Sequence, residues 1–529
     1  WLKAQACIVF PGAVPGPCPW DPSLPRRRLW IPHGRTGSSA APAVATAQLR
    51  KVYEASLGDG APRRWRPCLL PLALWLVRQQ TGHRPGRVFA HPSSTLSSRP
   101  GPRHCYVHIP FCVQRCFYCD FPVRVVGKNA AVNHRQSEDY TKVLTDEIRT
   151  TCRHGTAEGL WGGGGHVLDT LYFGGGTPSL MPPEHLKQII DALAAEGFPL
   201  SPAAEVTLEM DPGTFDRSKL DEYLACGVSR VNLGVQSFNS SILEAAGRFH
   251  RASEVDEALA SLQAAGMRNV GVDLISGLPL LTLSEWRRSL DRACELKARG
   301  LVNHVSVYDL TVEPDSAFGQ SGLEPGLSPL PDDASAADML RMASEVLQEG
   351  GFEHYEVSNF ALPGHRSRHN MAYWARRDFL GFGMGATSCI GGRRFARPRA
   401  WKDYKLWVAV LKDARLADAL RDADEPGDGA EDEVFDELLE RVMLALRTSD
   451  GLDLERLRAD FGGAAGEAVE ESLMRNLHLV VKQGQRIRLS APDGFVVSND
   501  VISTVFADLE DHREALRQGG RSTAAADAS

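Results

Sequence analysis

The chain has 529 residues, 43% of them hydrophobic and 24% charged, with a formal net charge of −7. This length predicts two to four domains, and the apolar content is sufficient for sizeable cores. The acidic balance argues against a dedicated nucleic-acid-binding protein, which needs a basic face. No transmembrane segment is predicted, because the longest apolar run, at residues 68–77, is too short to cross a bilayer and contains a proline.

Residues 1–104 form a basic leader that differs from the rest of the chain. They contain 15 Lys and Arg but only 3 Asp and Glu, whereas the remaining residues contain 44 and 63. The leader is rich in Pro, Arg, Ser and Ala and lacks hydrophobic periodicity. This composition is typical of organelle transit peptides, so we expect a largely disordered segment that directs import into a chloroplast or mitochondrion. A disordered extension without a targeting role, or translated non-coding sequence, is the alternative.

Three of the eleven cysteines stand within eight residues, in Cys112-Val-Gln-Arg-Cys116-Phe-Tyr-Cys119. Tight clustering of thiols in a chain with few others indicates a metal site. Three thiolates suit a [4Fe–4S] cluster whose fourth iron is open to a substrate or cofactor. The alternative is a structural zinc ion completed by Cys105 or His108, although such sites often use two cysteine pairs and no second pair follows.

Strands and helices are predicted to alternate from residue 105 to about 360. The predicted strands are 105–109, 168–173, 204–209, 230–235, 269–274, 304–310 and 354–358. The predicted helices are 139–152, 183–196, 216–226, 253–265, 284–299 and 334–349. Repeated βα units of this length predict a parallel sheet covered by helices, either open or closed as a partial barrel. The cysteines would then lie on the loop after the first strand, at the edge where barrels build their sites.

Polar residues stand at or near the ends of several predicted strands. In LYFGGGTP, residues 171–178, three glycines would allow close approach to a ligand or bind an anion, and a tight turn is the alternative. The other polar residues are Glu205 and Glu209 on the third strand, Asp211 where that strand ends, Gln236 after the fourth strand, Arg248, and Asp273 inside the apolar fifth strand. Because the ends of parallel strands meet at one edge, these side chains predict a single site.

The region beyond residue 360 departs from this alternation. Residues 365–392 are predicted to be a structured loop region, 401–421 a helix, 421–431 a linker, and 434–446 a helix with a strong apolar stripe. Two further helical patterns and a hairpin around Lys482 suggest a small winged-helix-like domain, a fold that does not by itself imply DNA binding. The predicted domain division is 1–104, 105–360, 361–420 and 432–510, with a disordered tail over 511–529.

His369 stands close to Tyr373 and Trp374 in the sequence HNMAYW, within a segment that carries four arginines. A histidine near aromatic residues can be an axial ligand of haem iron, with arginines pairing to the propionates. A packed loop containing a hydrogen-bonded histidine is the alternative.

Taken together, these motifs resemble the radical S-adenosylmethionine (SAM) enzymes, in the branch of the oxygen-independent coproporphyrinogen oxidases. The motifs are the three cysteines preceded by YVHIPF, then GGGTP, EVSNFA, SRHNMAYW and FLGFGMGA, in the family's order. The sequence is more similar to the HemW-type haem chaperones of that branch, over roughly residues 105–509. Several ordered motifs are far more specific than the cysteines alone. The resemblance implies an α/β fold: a radical SAM partial (β/α)6 barrel followed by a smaller, mostly helical C-terminal domain.

The resemblance also implies roles for individual residues. Cys112, Cys116 and Cys119 would hold the [4Fe–4S] cluster, and His369 corresponds to the histidine of a motif implicated in haem binding. The SAM site would be lined by Tyr106, the backbone near Tyr118, Gly175, Gly176, Thr177, Glu209, Gln236, Arg248 and Asp273.

Phe121 separates the two branches of the family. The oxidases have a fourth cysteine two residues after the third, and here Asp120-Phe121 is similar to the chaperone branch. The sequence therefore predicts a haem chaperone that delivers haem to acceptor apo-proteins, with an electron donor required if SAM is cleaved. Radical decarboxylation of coproporphyrinogen III and a zinc-stapled interaction protein are the alternatives. A second departure is Thr387, where many relatives have a histidine, two residues before Cys389.

Overall fold

The computed structural model describes residues 101–161, 165–412 and 430–513. Nearly all of the predicted leader lies outside these ranges, as do most of the predicted linker and tail. Among the described residues, no helix has the length and apolar character needed to span a membrane.

Six parallel strands form the centre of an eleven-stranded sheet. In spatial order they are β1 (His104–Ile109), β4 (Leu168–Gly175), β5 (Leu200–Met210), β6 (Arg230–Gln236), β7 (Val270–Ser276) and β8 (His304–Asp309). Two short strands, β2 (Phe111–Cys112) and β3 (Arg124–Val125), pair in the loop after β1. The six central strands are mostly buried, which agrees with their nearly continuous apolar sequences. The predicted α/β fold with a six-stranded parallel barrel is confirmed.

Helices connect and cover these strands. They are α1 (Ala130–Ala157), α2 (Pro183–Ala195), α3 (Arg217–Ala225), α4 (Ser240–Ala245), α5 (Ala252–Ala264), α6 (Leu283–Ala298), α7 (Ala317–Gln320) and α8 (Asp333–Glu349). Their sequences explain their placement: on α2, Leu186, Ile189 and Leu193 recur at helical spacing and are buried against the sheet. Helix α6 begins where the hydroxyl of Thr282 accepts the N–H of Glu285 at 3.2 Å.

The sheet extends beyond the barrel at both edges. Antiparallel strands β9 (Glu353–Glu356) and β10 (Asn359–Ala361) follow β8, so the seventh predicted strand exists but does not continue the parallel series. After helix α9 (Arg368–Trp374), β11 (Phe379–Phe382) pairs in parallel with β1. Strands β12 (Thr387–Ile390) and β13 (Arg393–Ala396) complete that edge.

The interpretation of residues 365–392 as a loop region is therefore wrong, and the predicted domain boundary at residue 360 falls inside the sheet. The short strand β11 is entirely buried, and it continues the sheet by pairing with β1. A four-residue strand that contains a glycine has too few alternating positions to be recognised from sequence. Helix α10 (Trp401–Leu411) then packs on α1, and its start agrees with the predicted helix.

A smaller unit forms the C-terminal part of the described chain. It contains α11 (Ala430–Leu446), β14 (Leu452–Asp453), α12 (Leu454–Phe461), α13 (Gly463–Met474), β15 (Val480–Gln483), β16 (Arg486–Leu489), α14 (Asp493–Val496) and α15 (Ser498–Asp511). The predicted apolar stripe, two helices and hairpin are all present. Sequence analysis assigned no element to α15, which buries Val505 and Leu509 in a hydrophobic core separate from that of the barrel.

Candidate functional site

The three clustered cysteines lie on the loop that leaves the C-terminal end of β1. Pro110 ends the strand, and the N–H of Cys119 donates to the carbonyl oxygen of Cys116 at 3.2 Å. The guanidinium of Arg115 closes the loop by donating to the carbonyl oxygens of Cys119 and Phe121, at 3.1 and 3.2 Å. The loop therefore has a defined conformation with all three thiols partly accessible.

Two polar side chains contact the sulfurs. The hydroxyl of Thr177 donates to Cys112 Sγ at 3.8 Å, and Arg248 Nη1 donates to Cys116 Sγ at 3.4 Å. Burial raises the pKa of the Cys112 thiol well above its ordinary value, and it raises the pKa of Cys119 to about 11. These thiols become thiolates only when a positive metal centre compensates their charge, as a metal or iron–sulfur cluster would.

The spacing of the thiols distinguishes between the metal sites that the sequence left open. Within the described ranges, the cysteine trio is not among the groups whose ligand atoms all lie within 4.8 Å of one another. Two thiolates on one zinc ion, each about 2.3 Å from it, lie no more than about 4.6 Å apart. Cys105 is fully buried, and the His108 ring is held by Tyr106 and by the carbonyl oxygen of Pro122. This spacing fits the wider separation of thiolates on a multinuclear cluster better than their separation on one zinc ion.

Asp211 joins the two side chains that contact the sulfurs. Its carboxylate accepts a hydrogen bond from Arg248 at 2.6 Å and another from Thr177 at 3.2 Å. Sequence analysis noted Asp211 only as the end of a strand and missed this role. Its position two residues after Glu209, at the C-terminal end of β5, was a signal that could have identified it, because alternate residues of a strand share a face.

The glycine segment positions Thr177 next to the cluster loop. The N–H groups of Gly176 and Thr177 donate to the carbonyl oxygens of Ile109 and Phe111, at 2.8 and 2.6 Å. A Cβ atom on Gly176 would lie 2.7 Å from the carbonyl oxygen of Phe111, so only glycine fits this approach. The N–H of Gly175 donates to Glu209 at 3.0 Å. These N–H groups are thus bonded to protein oxygens, and the anion that the segment holds in this structure is the carboxylate of Glu209.

Glu209 lies in an aromatic environment within the barrel. The hydroxyl of Tyr172 donates to its carboxylate at 2.7 Å, and the ring of Tyr106 stacks on Tyr172 with centroids 6.0 Å apart. Burial raises the pKa of the Glu209 carboxyl, while the hydrogen bonds from Tyr172 and Gly175 oppose that rise. The structure therefore brings Tyr106, the glycine segment and Glu209 together, as predicted by position.

Three polar atoms near this group are buried without a hydrogen-bond partner among the described residues: Gln236 Oε1, Asp273 Oδ1 and Arg248 Nε. Gln236 also has a positive φ of 63°, a conformation that non-glycine residues rarely adopt. Burial raises the pKa of Asp273 to about 7. Because buried polar atoms are nearly always paired, unpaired atoms at these predicted positions fit a polar ligand such as SAM. Tyr118, the remaining predicted residue, packs against the core beside Cys116.

His369 lies in the core and not at a surface. The His369 ring stacks on Tyr172, and only 1% of the residue is exposed to solvent. Nδ1 is 2.7 Å from the hydroxyl of Thr170, and Nε2 is 2.8 Å from the hydroxyl of Tyr373. Burial lowers the pKa of His369 well below its ordinary value, so the ring is neutral. In this conformation neither ring nitrogen is available to haem iron, and the geometry corresponds to the hydrogen-bonded alternative.

Comparison with known proteins gives the same family as the sequence motifs. Residues 106–293 match the Radical SAM superfamily, and residues 435–496 match the HemN C-terminal domain. Heme chaperone HemW of Synechocystis sp. is 35% identical over 430 residues, which cover 78% of this chain and 98% of that protein. The mitochondrial radical S-adenosyl methionine domain-containing protein 1 of Mus musculus is 33% identical over 470 residues, which cover 83% of this chain and 95% of the mouse protein.

A solved structure shows the same fold. Coproporphyrinogen III oxidase (HemN) from Escherichia coli, a radical SAM enzyme, aligns with a TM-score of 0.62 at 22% identity, over 81% of this chain and 98% of the other. At this identity the likeness concerns the fold alone. The sequence identity to HemW over almost its entire length is the stronger result, and it shows that the chain belongs to the HemW family of radical SAM proteins.

Proposed function

We propose that this protein is a haem chaperone that binds haem and delivers it to acceptor apo-proteins. The observation that carries the proposal is the 35% identity to a protein named heme chaperone HemW, 98% of which is covered. The ordered motifs and the geometry of the cysteine loop support it. The acceptor proteins would be recognised by surfaces outside the cofactor site.

The cofactor site fits a [4Fe–4S] cluster and SAM. Cys112, Cys116 and Cys119 would hold the cluster, and the unpaired polar atoms of Gln236, Asp273 and Arg248 would face SAM. When bound there, the cluster supplies an open iron for SAM and an electron for its reductive cleavage, which requires an electron donor. Thr177 and Arg248 would donate hydrogen bonds to the sulfurs of Cys112 and Cys116.

The competing function is oxidation of coproporphyrinogen III, which the fold alone does not exclude. The residue that argues against it is Phe121, since the oxidase pattern has a fourth cysteine at that position. In this structure Phe121 contacts the loop through its backbone: its carbonyl oxygen accepts from Arg115, and the backbone also hydrogen-bonds the Cys119 thiol. We therefore place the chain in the chaperone branch.

One experiment separates these functions. The chain is reconstituted anaerobically, haem is titrated while the Soret band is recorded, and coproporphyrinogen turnover is measured on the same sample with SAM and a reductant. We expect saturable, stoichiometric haem binding without turnover. Turnover would assign the oxidase function, and zinc without acid-labile sulfide would contradict both cofactor-dependent functions.

We also propose that the protein works in an organelle. The basic, acid-poor composition of residues 1–104 supports import, and the mouse relative is named as mitochondrial. The composition does not separate mitochondrion from chloroplast. Imaging a fluorescent protein fused after residue 104 tests the proposal, because a diffuse cytosolic signal would contradict it.

A further inference from the structure

Three potential metal ligands, none of them on the cysteine loop, meet between helices α1 and α2. His134 lies near the start of α1, and Glu184 and His185 lie in the first turn of α2. His134 Nε2 is 3.2 Å from Glu184 Oε1, and the two imidazole rings have centroids 4.9 Å apart. One ligand atom from each of the three residues lies within 4.8 Å of the others, which is close to the spacing around a single ion.

His185 is prepared for coordination by its surroundings. The residue is only 3% exposed, and its Nδ1 is 2.8 Å from the hydroxyl of Ser137. A metal-binding histidine usually has its second nitrogen fixed by such a hydrogen bond, which orients the ring and leaves Nε2 for the metal.

The sequence explains why these groups converge. His134 and Ser137 are three residues apart on α1 and therefore share a face, which packs on the start of α2. Glu138 follows Ser137 on α1 and adds negative charge beside His185. The positive N-terminal end of α2 disfavours a cation there, and the carboxylates of Glu184 and Glu138 oppose that effect.

We propose that His134, Glu184 and His185 bind one divalent transition-metal ion of the zinc type, with water completing the coordination. Two imidazoles and one carboxylate are borderline ligands that favour zinc over magnesium or calcium, which prefer oxygen ligands. The ion would join α1 to α2. The site is close to the cluster loop but distinct from it: Asn133 donates to the carbonyl oxygen of Leu180, three residues after the Thr177 that contacts Cys112.

Zinc titration of the full chain tests this proposal. Tag-free protein with its iron–sulfur cluster reconstituted is freed of loosely bound metal and titrated with zinc sulfate against a chromophoric chelator. We expect one equivalent to bind with micromolar or tighter affinity, and zinc to raise the melting temperature. His134→Ala, at a side chain 53% exposed, should fold normally and weaken binding at least tenfold. Glu184→Gln should weaken it less, because the amide oxygen remains a ligand.

His478→Ala is the matched control, because it removes an exposed histidine from the smaller unit and should leave zinc binding unchanged. Iron content and the visible absorbance of the cluster are followed throughout, so that zinc in the cysteine site is recognised. The proposal is overturned if zinc binds only at millimolar concentration, if His134→Ala binds as tightly as the wild type, or if the bound zinc appears only as iron is lost.

Discussion

Asp211 accepts hydrogen bonds from both side chains that contact the cysteine sulfurs, Arg248 and Thr177. Its side chain is 15% exposed and that of Arg248 is 8% exposed, so the pair interacts with little screening by solvent. Charge and hydrogen bonding around the sulfurs are among the factors that set the reduction potential of an iron–sulfur cluster. Asp211 is therefore placed to tune the cluster without binding it.

We predict that Asp211→Asn raises the reduction potential of the reconstituted cluster by tens of millivolts. The substitution keeps the side-chain shape but removes a negative charge near the cluster, so that adding an electron becomes easier. Redox titration monitored by electron paramagnetic resonance measures the effect. Asp216→Asn, at an exposed helix cap, is the control, and equal potentials for all three proteins would contradict the prediction.

His369 connects α9 to β4 through its ring, since it bonds Thr170 and stacks on Tyr172, both on β4, and also bonds Tyr373 on its own helix. We predict that His369→Ala lowers the free energy of unfolding by about 3 kcal/mol, because it leaves a cavity and removes two buried hydrogen bonds. Haem stoichiometry should be unchanged, as both ring nitrogens are already engaged. Urea denaturation measures the change in the free energy of unfolding, and a haem titration followed by the Soret band measures the haem stoichiometry.

His478→Ala serves again as the control, since it lies on an exposed surface of the smaller unit. Loss of the Soret band in His369→Ala, with wild-type stability, would show that the ring leaves its buried position to bind iron. That result would restore the role in haem ligation that the motif implies.

Asp273 gives the stability of the ligand-free protein a defined dependence on pH. Its pKa is raised to about 7 in the folded state from an ordinary value of 3.8, mainly by burial, so the folded state binds more protons between these pH values. Stability therefore falls as pH rises through this window, by an amount on the order of 4 kcal/mol. We predict that Asp273→Asn removes this fall, so that the variant gains stability relative to wild type from pH 5 to pH 8.

Unfolding of both proteins by urea at several pH values, without SAM, measures this difference. Asp216→Asn is the matched control, because Asp216 is exposed. A constant difference between wild type and Asp273→Asn across the range would show that Asp273 is ionised in the folded state at all these pH values.

At the scale of elements, the sequence predicted the barrel better than its edges. Each central strand is a buried run bounded by glycine or polar residues, and the longer helices between them have an apolar face, so local pattern and tertiary fold agree there. The short helices α4 and α7 were not predicted. Strands β11 and β12 have four residues each, too few for a clear alternation, and β11 pairs with β1, which lies far away in sequence. The residues of the candidate site differ in the same way. The cysteines and Glu209 could be predicted from sequence motifs. The role of Asp211 could not, because it depends on the distances from its carboxylate to Thr177 and Arg248 in the folded chain.

The junction between the barrel and the smaller unit is a group of charged side chains. Glu440 on α11 accepts hydrogen bonds from Arg376 and Arg394, both at 2.6 Å, and it is only 6% exposed. Breaking a buried ion pair by removing one partner is costly because the remaining charge is left unpaired. This carboxylate therefore fixes α11 against the edge of the sheet that contains β13.

We predict that Glu440→Ala destabilises the junction by about 3 kcal/mol and separates the unfolding of the smaller unit from that of the barrel. Differential scanning calorimetry should then show two transitions. Glu467→Ala, at an exposed position on α13, is the control and should retain the wild-type profile. An unchanged profile for Glu440→Ala would mean that apolar contacts alone hold the two units together.

At the scale of the whole molecule, the residues that stabilise the fold differ from those predicted to bind the cofactors. The two hydrophobic cores are formed by the sheet with its helices and by the C-terminal helices with their hairpin. The cysteine loop lies at the end of the barrel, where Val113 and Tyr118 pack on the edge of the larger core and the sulfurs face Arg248 and Thr177. Loss of the cluster should therefore remove cofactor chemistry and leave the fold intact.

Replacing Cys112, Cys116 and Cys119 together by serine tests this separation. We predict that the variant binds no iron or sulfide and loses SAM binding, while its far-ultraviolet circular dichroism matches the wild type and its melting temperature falls by only a few degrees. Cys294→Ser, on α6 and remote from the loop in sequence, should retain the cluster. Global unfolding of the triple variant would show that the cluster is part of the folding core, whereas retained iron would mean that other residues ligate it.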